Sequence, residues 1–462
     1  MTDPAAPVAD SVLPVANPAP ATPGAAATPR GKLAWLRSHW RDPLYRNGYY
    51  LMLNSLTGAG FGFLFWMVAA RLYTQAEVGT AVGVVSAMTL AALFGKFGVD
   101  AALIRYVPTA DRRGRLKLLA ESLALTSVLT LTLAVGMVGL FPTLSPALAA
   151  LHARPLDAAL FCAFAVLMSG AWVLDGYFIA ERRAGLSLLR NVTFNALKVA
   201  LPFVGVIAAS SFALPLAWGL GIAASVAVAA LAVPRLLQRV APTGGAALPA
   251  RRTFLAYSGA NYVVNVTEWL PTLVLPLLVL AVAGPEQNAV FYMAWTLASL
   301  AFFFTKAVSQ STFAEMSHQP ENLAPLLRKG AKHSGLVVAP TLLGGALLGG
   351  VALSLFGPTY RDQGYPLLLV LLGSGVFVAV SNLYLTLLKA RDARVELVLL
   401  PTLLLAATVT AAYAALGAFG LMGLAWAWLL TNALGAGYCL IRIPTHLRRS
   451  ATCRESAPLP SA

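Results

Sequence analysis

Apolar residues in this chain come in long runs that are separated by short polar segments. A helix of about 20 apolar residues is long enough to cross the hydrocarbon core of a bilayer, which is about 30 Å thick. The runs predict twelve such helices, approximately at residues 47–70, 79–104, 118–141, 158–180, 187–210, 213–233, 254–282, 288–314, 333–356, 366–388, 396–416 and 419–441. We therefore expect an all-α integral membrane protein.

Composition agrees with this class. Hydrophobic residues make up 58% of the 462 positions and charged residues only 11%, with a mean hydropathy of +0.73. The three cysteines, Cys162, Cys439 and Cys453, indicate neither a disulfide framework nor a metal site. A net charge of +15 would favour a nucleic-acid partner in a soluble protein, but here the basic residues lie between apolar runs. In that position they set orientation in the membrane, so we expect no nucleic-acid partner.

The distribution of basic residues predicts the topology. If the amino terminus is cytoplasmic, 27 arginines and lysines face the cytoplasm and only Arg71, Arg154 and Arg361 face the outside. Loops rich in Lys and Arg stay on the cytoplasmic side of a membrane. We therefore expect a multi-pass protein of the cell inner (plasma) membrane with both termini in the cytoplasm.

The chain divides into six segments. The first is an Ala/Pro-rich tail that lacks the basic start and compact apolar core of a signal peptide, so we expect disorder. The second is either a short amphipathic helix on the inner leaflet or a basic flank that orients the first span. The segments are the tail 1–30, the basic interfacial segment 31–46, an amino-terminal six-helix lobe 47–233, a cytoplasmic linker 234–252, a carboxy-terminal six-helix lobe 253–441 and a basic cytoplasmic tail 442–462.

The two lobes are related by a weak internal repeat. At an offset of 210 residues Leu90 matches Leu300 and Lys96 matches Lys306. An even number of spans separates the copies, so both have the same orientation in the membrane. The pattern predicts a parallel pseudo-twofold repeat around a central cavity, which is typical of one class of secondary transporter.

Lysines within the spans are the first candidates for a binding site. A lysine at the bilayer centre costs about 2.5–3.5 kcal/mol on insertion scales, so it should face water, a partner or an anionic ligand. Lys96 and Lys306 occupy equivalent positions, and Lys198 is a third candidate. Structural roles are the alternative: Asp100 lies one turn from Lys96 and can neutralise it, and Lys198 can extend towards the inner face. Lys306 has no acidic residue three or four positions away.

Polar residues form stripes on the first helix of each lobe. Asn261, Asn265 and Glu268 share one helix face, and Asn54 and Thr57 mark a similar stripe in the first span. These stripes predict a polar cleft between the lobes that offers hydrogen bonds to a polar ligand. Hydrogen bonds between neighbouring helices are the alternative.

Carboxylates within the spans are candidates for ion coupling. Glu268, Asp175 and Asp100 each have the chemistry to bind a coupling H⁺ or Na⁺. The five histidines are scattered without metal spacing, and neither a Walker loop nor a GxSxG motif is present. We therefore expect no metal, no cofactor and no catalytic residues, and a source of energy other than nucleotide hydrolysis.

The amino-terminal spans carry a recognisable signature: Asn47-Gly48, Ala70-Arg71-Leu72, Glu77-Val78-Gly79 and the FGVDAALIR segment at 97–105. It resembles that of polysaccharide-biosynthesis proteins of the Wzx-like, oligosaccharidyl-lipid flippase branch of the multidrug/oligosaccharidyl-lipid/polysaccharide exporter superfamily. The likeness covers residues 47 to about 441.

The resemblance implies a flippase that moves an undecaprenyl-diphosphate-linked oligosaccharide, the repeat unit of a polysaccharide, from the inner to the outer leaflet. It implies alternating access through a V-shaped cavity with cationic walls, for which Lys96, Lys306 and Lys198 are the matching residues. Its partners would be membrane lipid, the lipid-linked oligosaccharide, a polysaccharide polymerase and glycosyltransferases.

The sequence is also compatible with two other functions. The first is an ion-coupled drug or metabolite antiporter of the same superfamily, although hydrophobic cations favour acidic cavities. The second is a membrane glycosyltransferase or ligase, which usually presents carboxylates on a sizeable outside loop. The longest outside loop here, 142–157, is short, so we expect a transporter of the cell envelope and not an enzyme.

Overall fold

The computed structural model describes residues 43–208, 210, 212–238 and 248–455, and within them every regular element is a helix. The compact unit begins at Asn47. Several predictions fall wholly or partly outside the described residues: the disorder of the tail 1–30, most of the segment 31–46, the middle of the linker 234–252 and the end of the tail 442–462. They stay predictions.

The first lobe is built from ten helices, of which six cross the lobe and the others are short. Tight 3-10 turns follow the third and seventh helices. The helices are α1 Pro43–Leu72, α2 Gln75–Lys96, α3 Val99–Tyr106, α4 Arg112–Leu144, α5 Pro146–His152, α6 Pro155–Ala180, α7 Ala184–Ala200, α8 Gly205–Ala208, α9 Ala213–Ala230 and α10 Val233–Gln238.

The second lobe has six helices, and the last of them reverses direction. Gly420 within it has φ 61° and ψ −153°, a backbone conformation that only glycine adopts readily, so this helix makes two passes. The helices are α11 Arg251–Val282, α12 Pro285–His318, α13 Leu323–Ser354, α14 Pro358–Gly373, α15 Gly375–Ala390 and α16 Arg394–Glu455.

Nine helical segments of the described residues are long and apolar enough to cross a membrane. One of them, Pro358–Ala390, joins α14 and α15 in a single pass, and another, Arg394–Leu447, contains both passes of α16. Two further passes are α7, which has 17 residues, and α11, whose described side chains include the apolar stretch Val266–Val282. Together these segments give the twelve passes in two lobes that the sequence predicts, so the predicted fold class is confirmed.

The internal repeat is visible in the helix boundaries. Three landmarks recur 210 residues apart: the ends of α1 and α11, the starts of α2 and α12, and the left-handed residues Arg182 and Asp392 that follow α6 and α15. Lys96 and Lys306 therefore occupy equivalent positions in the two lobes.

One helix departs from the prediction. The second span, expected to run unbroken over 79–104, is interrupted at Phe97 and Gly98, which have φ values of 48° and 69°. At Gly98 a Cβ atom would lie 2.4 Å from the carbonyl oxygen of Ser258, so α11 approaches here more closely than a side chain permits. The equivalent helix α12 passes Lys306 without a break.

The largest apolar core joins the two lobes through aromatic side chains. Trp66 of α1 packs on Tyr292 of α12 at 5.1 Å between ring centroids, and on Trp218 of α9 at 6.1 Å. In the second lobe Trp295 and Trp428 meet edge to face at 4.8 Å. Such pairs stabilise packing beyond the area that they bury.

The two ends of the molecule differ. We call the end that carries Arg105, Arg183, Arg251 and Lys329 the basic end, and the other the opposite end. At the opposite end α2 and α12 touch so closely that a Cβ atom on Gly79 would lie 1.7 Å from the carbonyl oxygen of Pro285.

Hydrogen bonds between the lobes close the opposite end, and every acceptor is a backbone carbonyl. They run from the Asn288 amide to Gly79 at 2.8 Å, from the Gln75 amide to Glu286 at 3.1 Å, and from the Arg71 guanidinium to Ser354 and Leu355, both at 2.8 Å. The Ser354 and Leu355 carbonyls lie at the carboxy-terminal end of α13, where carbonyl groups have no hydrogen-bond partner within the helix. The Arg71 guanidinium supplies that partner.

Removing the Asn288 bond should open this end. Asn288→Ala removes the side-chain hydrogen bond to the Gly79 carbonyl, which weakens the closed form by about 1 kcal/mol and shifts the equilibrium between closed and open forms about fivefold. Spin labels at the exposed positions Thr143 and Gln363, in a chain whose three cysteines are replaced by alanine, should then show a longer distance component.

Asn432→Ala is the matched control, because the Asn432 amide donates to the Trp428 carbonyl of its own helix at the same 2.8 Å. An unchanged distance distribution in Asn288→Ala would contradict the assignment of this contact as part of a closure.

Candidate functional site

Three charged side chains from three helices meet in the second lobe. Glu268 of α11 accepts from Lys306 of α12 with 2.5 Å between Oε2 and Nζ, and its Oε1 lies 3.9 Å from Nζ of Lys389 on α15. Lys306 lies 21 residues from the start of α12 and 12 from its end, or about 32 Å and about 18 Å. The cluster therefore sits in the basic half of the lobe rather than at its middle.

These residues line a cavity of about 240 Å³ whose other walls are mostly polar. Ser309, Gln310, Asn382 and Thr386 contribute neutral hydrogen-bonding groups. The Asn382 amide also donates to the Thr305 hydroxyl at 3.0 Å, which fixes its orientation. Two ammonium groups, one carboxylate and these neutral groups make an environment suited to an anion with several oxygen atoms.

The equivalent lysine of the first lobe has different surroundings. Lys96 pairs with Asp100 at 2.9 Å, and its ammonium lies 5.5 Å from the centre of the Trp172 ring. The helix break places Lys96 in the last turn of α2 and Asp100 in the first turn of α3. Each charge therefore also has the favourable sign for its helix dipole. The structure thus shows the neutralising pair that the sequence offers as the alternative for Lys96.

Asp175 is also paired. The Arg190 guanidinium donates to both carboxylate oxygens of Asp175 and also to the Asn191 side chain at 2.8 Å. The adjacent Gly176 packs against Asp100, since a Cβ atom on this glycine would lie 2.9 Å from the Asp100 Cα. The two acidic candidates of the first lobe therefore lie close together, and each has its own cation.

Lys198 lies apart, in the last turn of α7. It is only 3% exposed, and its ammonium faces the rings of Phe65, Phe194 and Trp218 at 5.7, 4.7 and 4.4 Å. Aromatic faces attract cations, most strongly when both are shielded from water. The side chain is thus turned into the first lobe and does not extend towards the basic end.

The polar stripes are only partly described. The Thr57 hydroxyl donates to the carbonyls of Leu53 and Asn54 on its own helix, and the Asn54 amide oxygen is buried without a hydrogen-bond partner among the described residues. The side chains of Asn261 and Asn265 lie outside the described part of the chain.

Lys389 is the charged residue that the sequence does not identify. It follows an apolar run, where it reads as one more basic residue of a cytoplasmic loop. Its place in the cluster depends on which helices are neighbours in the fold, since Glu268 comes from a helix more than 100 residues earlier.

The helix α11 contacts both lysine sites. Its Tyr262 hydroxyl donates to the Phe94 carbonyl at 3.3 Å, next to the break after Lys96, while Glu268 reaches Lys306. Between these points Val266 packs on Leu93 in a small apolar cluster. The described cavity at Lys306 does not include Lys96 among its lining residues.

Comparison with known proteins shows which family the first half of the chain resembles. The model of the family described as "Polysaccharide biosynthesis protein" matches residues 44–265. The probable flippase AglR of Haloferax volcanii is 25% identical over 391 residues, which cover 76% of each chain. Just under half of the chain is thus similar to this family, and the likeness to AglR extends over most of its length. These relatives also confirm the prediction of a membrane transporter rather than an enzyme.

Solved structures confirm the fold. An inward-facing multidrug resistance MATE family transporter of the MOP superfamily has a TM-score of 0.68 at 16% identity, over 86% of this chain and 96% of that one. The inward-closed lipid II flippase MurJ has a TM-score of 0.64 at 14% identity, over 85% and 87%. An outward-facing MATE transporter has only 0.57 at 16% identity, over 90% and 96%. Of these three structures the inward-facing transporter has the highest TM-score, and all three show that the chain has this fold.

The Asp175–Arg190 pair predicts a stability effect. Asp175→Asn should lower the free energy of unfolding by about 3 kcal/mol, because it leaves the buried guanidinium of Arg190 without a counter-charge. Asp175→Asn combined with Arg190→Gln should recover most of the loss. Melting temperatures of the purified protein in detergent measure both. A stable single variant with impaired transport would instead support Asp175 as the coupling residue.

Proposed function

We propose that this protein is a flippase that carries an undecaprenyl-diphosphate-linked oligosaccharide from the inner to the outer leaflet by alternating access. The family model that matches residues 44–265 and the similar proteins support a flippase of the MOP superfamily. The observation that supports an anionic substrate is the pocket with two lysines, Lys306 and Lys389, and only one acidic residue, Glu268.

The chemistry of the pocket suits a lipid-linked diphosphate. Such a substrate has an anionic group between an apolar tail, which can remain in the lipid, and a polar glycan, which needs hydrogen bonds. Lysine is a compact and flexible point charge that binds phosphate without the rigid two-point geometry of arginine, so release remains possible. An excess of cations also disfavours the hydrophobic cations that a drug antiporter would carry.

The sidedness follows from the basic residues. Arginines and lysines mark the cytoplasmic side, so the basic end faces the cytoplasm of a cell whose inner membrane holds the protein. The closed opposite end then faces outward, and the described conformation receives substrate from the cytoplasmic side. The pocket in the basic half of the second lobe fits this first step.

The remaining predicted residues have supporting parts in this proposal. Lys96 would meet the substrate only after its contact with Asp100 loosens. Asn54, Thr57, Asn261 and Asn265 would bind the glycan along the first helix of each lobe. Glu268 is the acidic candidate beside the cations that hold the substrate, which favours it over Asp175 as the site of a coupling H⁺ or Na⁺. A polysaccharide polymerase and glycosyltransferases would act on the same glycan.

Lys306→Ala and Lys389→Ala should each reduce export of surface glycan at least tenfold while leaving the amount of protein unchanged, because each removes a cation from the diphosphate pocket. Export is measured as surface polysaccharide in cells that lack the native gene. Lys332→Ala is the matched control, since Lys332 is an exposed lysine of the same lobe outside the pocket. Wild-type export by both pocket variants would contradict the proposal.

Lys96→Ala should have a milder effect on export than Lys306→Ala, because Asp100 already neutralises this lysine. It should also lower the melting temperature, since Asp100 loses its partner. Lys96→Ala combined with Asp100→Ala should restore stability without restoring transport. If the double variant transports normally, Lys96 is a structural residue only.

A further inference from the structure

The Glu268 carboxylate occupies the place where an anion would bind. Its two oxygens divide between two cations: Oε2 contacts Lys306 at 2.5 Å, and Oε1 lies 3.9 Å from Lys389. A phosphate group presents oxygens at a similar spacing and binds lysines in the same way. A ligand phosphate and this carboxylate therefore compete for the same two ammonium groups.

The charges of the pocket agree with such competition. Its charged lining residues are Lys306, Lys389 and Glu268, so the empty pocket carries one net positive charge. A diphosphate diester carries two negative charges, and adding it beside Glu268 would leave three negative charges against two positive ones. If the carboxylate moves away, two ammonium groups face two negative charges.

The position of Glu268 allows it to move. The side chains of Glu268, Lys306 and Lys389 are 30%, 42% and 37% exposed, so the contact opens to solvent rather than being locked in the core. The prolines Pro271 and Pro276 lie within the same helix, where each removes a backbone hydrogen bond and makes bending easier. By contrast, the Lys96–Asp100 pair of the first lobe is held by two helix ends.

We propose that Glu268 is a built-in competitor of the substrate diphosphate and that Lys389 is a direct substrate contact. The proposal rests on the proposed function. On binding, the diphosphate displaces the carboxylate from Lys306 and Lys389; on release, the carboxylate returns. The exchange promotes release and leaves both lysines partnered in the empty transporter, so the empty form changes conformation without two unpaired charges in the membrane.

Binding of farnesyl diphosphate to the purified full-length protein in detergent tests this exchange. Titration calorimetry gives the affinity, and farnesol, which lacks the diphosphate, controls for binding of the tail. Glu268→Gln should bind farnesyl diphosphate at least about fivefold more tightly than the wild type, because the amide keeps the shape but removes the competing charge. Lys389→Ala should bind at least about fivefold more weakly. Neither change should alter farnesol binding.

Two further variants make the test specific. Glu315→Gln on the same helix as Lys306 removes an exposed carboxylate that accepts from Gln319 outside the pocket, and it should leave the affinity unchanged. In a Lys389→Ala background the gain from Glu268→Gln should shrink, since one of the two contested cations is gone. Glu268→Gln should also export glycan more slowly than wild type despite its tighter binding, because release becomes limiting.

Each outcome has a distinct meaning. If the wild type binds farnesyl diphosphate and Glu268→Gln, with an unchanged melting temperature, binds no more tightly, the competition is overturned and the flippase proposal stands. If Lys389→Ala binds as the wild type does, Lys389 is not a substrate contact. If no variant binds farnesyl diphosphate, the pocket is not a diphosphate site. The competition by Glu268 and the proposed role of this pocket in transport are then both wrong. Normal probe behaviour without glycan export in cells would contradict the proposed function alone.

Discussion

A charge inside a membrane needs a partner, and this constraint organises the interior of the protein. The described charges within the spans follow it in three ways. Asp175 and Arg190 form a buried pair between neighbouring helices, and Lys198 faces a group of aromatic rings. The lysines equivalent by the repeat, Lys96 and Lys306, each contact a carboxylate. Each partner keeps the cost of a buried charge low enough for the fold to tolerate it.

The repeat gives the two lobes equivalent lysines but unequal sites. In the first lobe the helix breaks after Lys96, and the pair with Asp100 is stabilised by the two helix ends that the break creates. In the second lobe the helix continues, the carboxylate comes from α11, and Lys389 adds a second cation. In the first lobe the charges of Lys96 and Asp100, four residues apart, cancel each other. In the second lobe the two lysines and one glutamate leave one positive charge in excess, and they line a cavity of about 240 Å³.

The sequence predicts the features that depend on local composition. Long apolar runs give the twelve passes, and the 210-residue offset gives the equivalence of Lys96 and Lys306. Features that depend on contacts between helices cannot be predicted from local sequence. The break at Phe97 and Gly98 lies where the α11 backbone approaches, and no helix-breaking proline marks the site. Glu268 meets Lys306 across 38 residues, so a search one turn away on the same helix misses it. Lys389 reads as a loop residue for the same reason.

The ion pairs of the two lysines are placed in the same way relative to the closed opposite end. The helices α2 and α12 close the opposite end through Gly79 and Asn288, and the same rigid helices carry Lys96 and Lys306. Their carboxylate partners lie on separate elements, Asp100 beyond the break on α3 and Glu268 on α11. A rotation of α2 relative to α3, or of α12 relative to α11, therefore changes the corresponding lysine contact. Continuous helix thus joins Gly79 to Lys96 and Asn288 to Lys306, so the contact that closes the opposite end and the two lysine contacts lie on the same two elements.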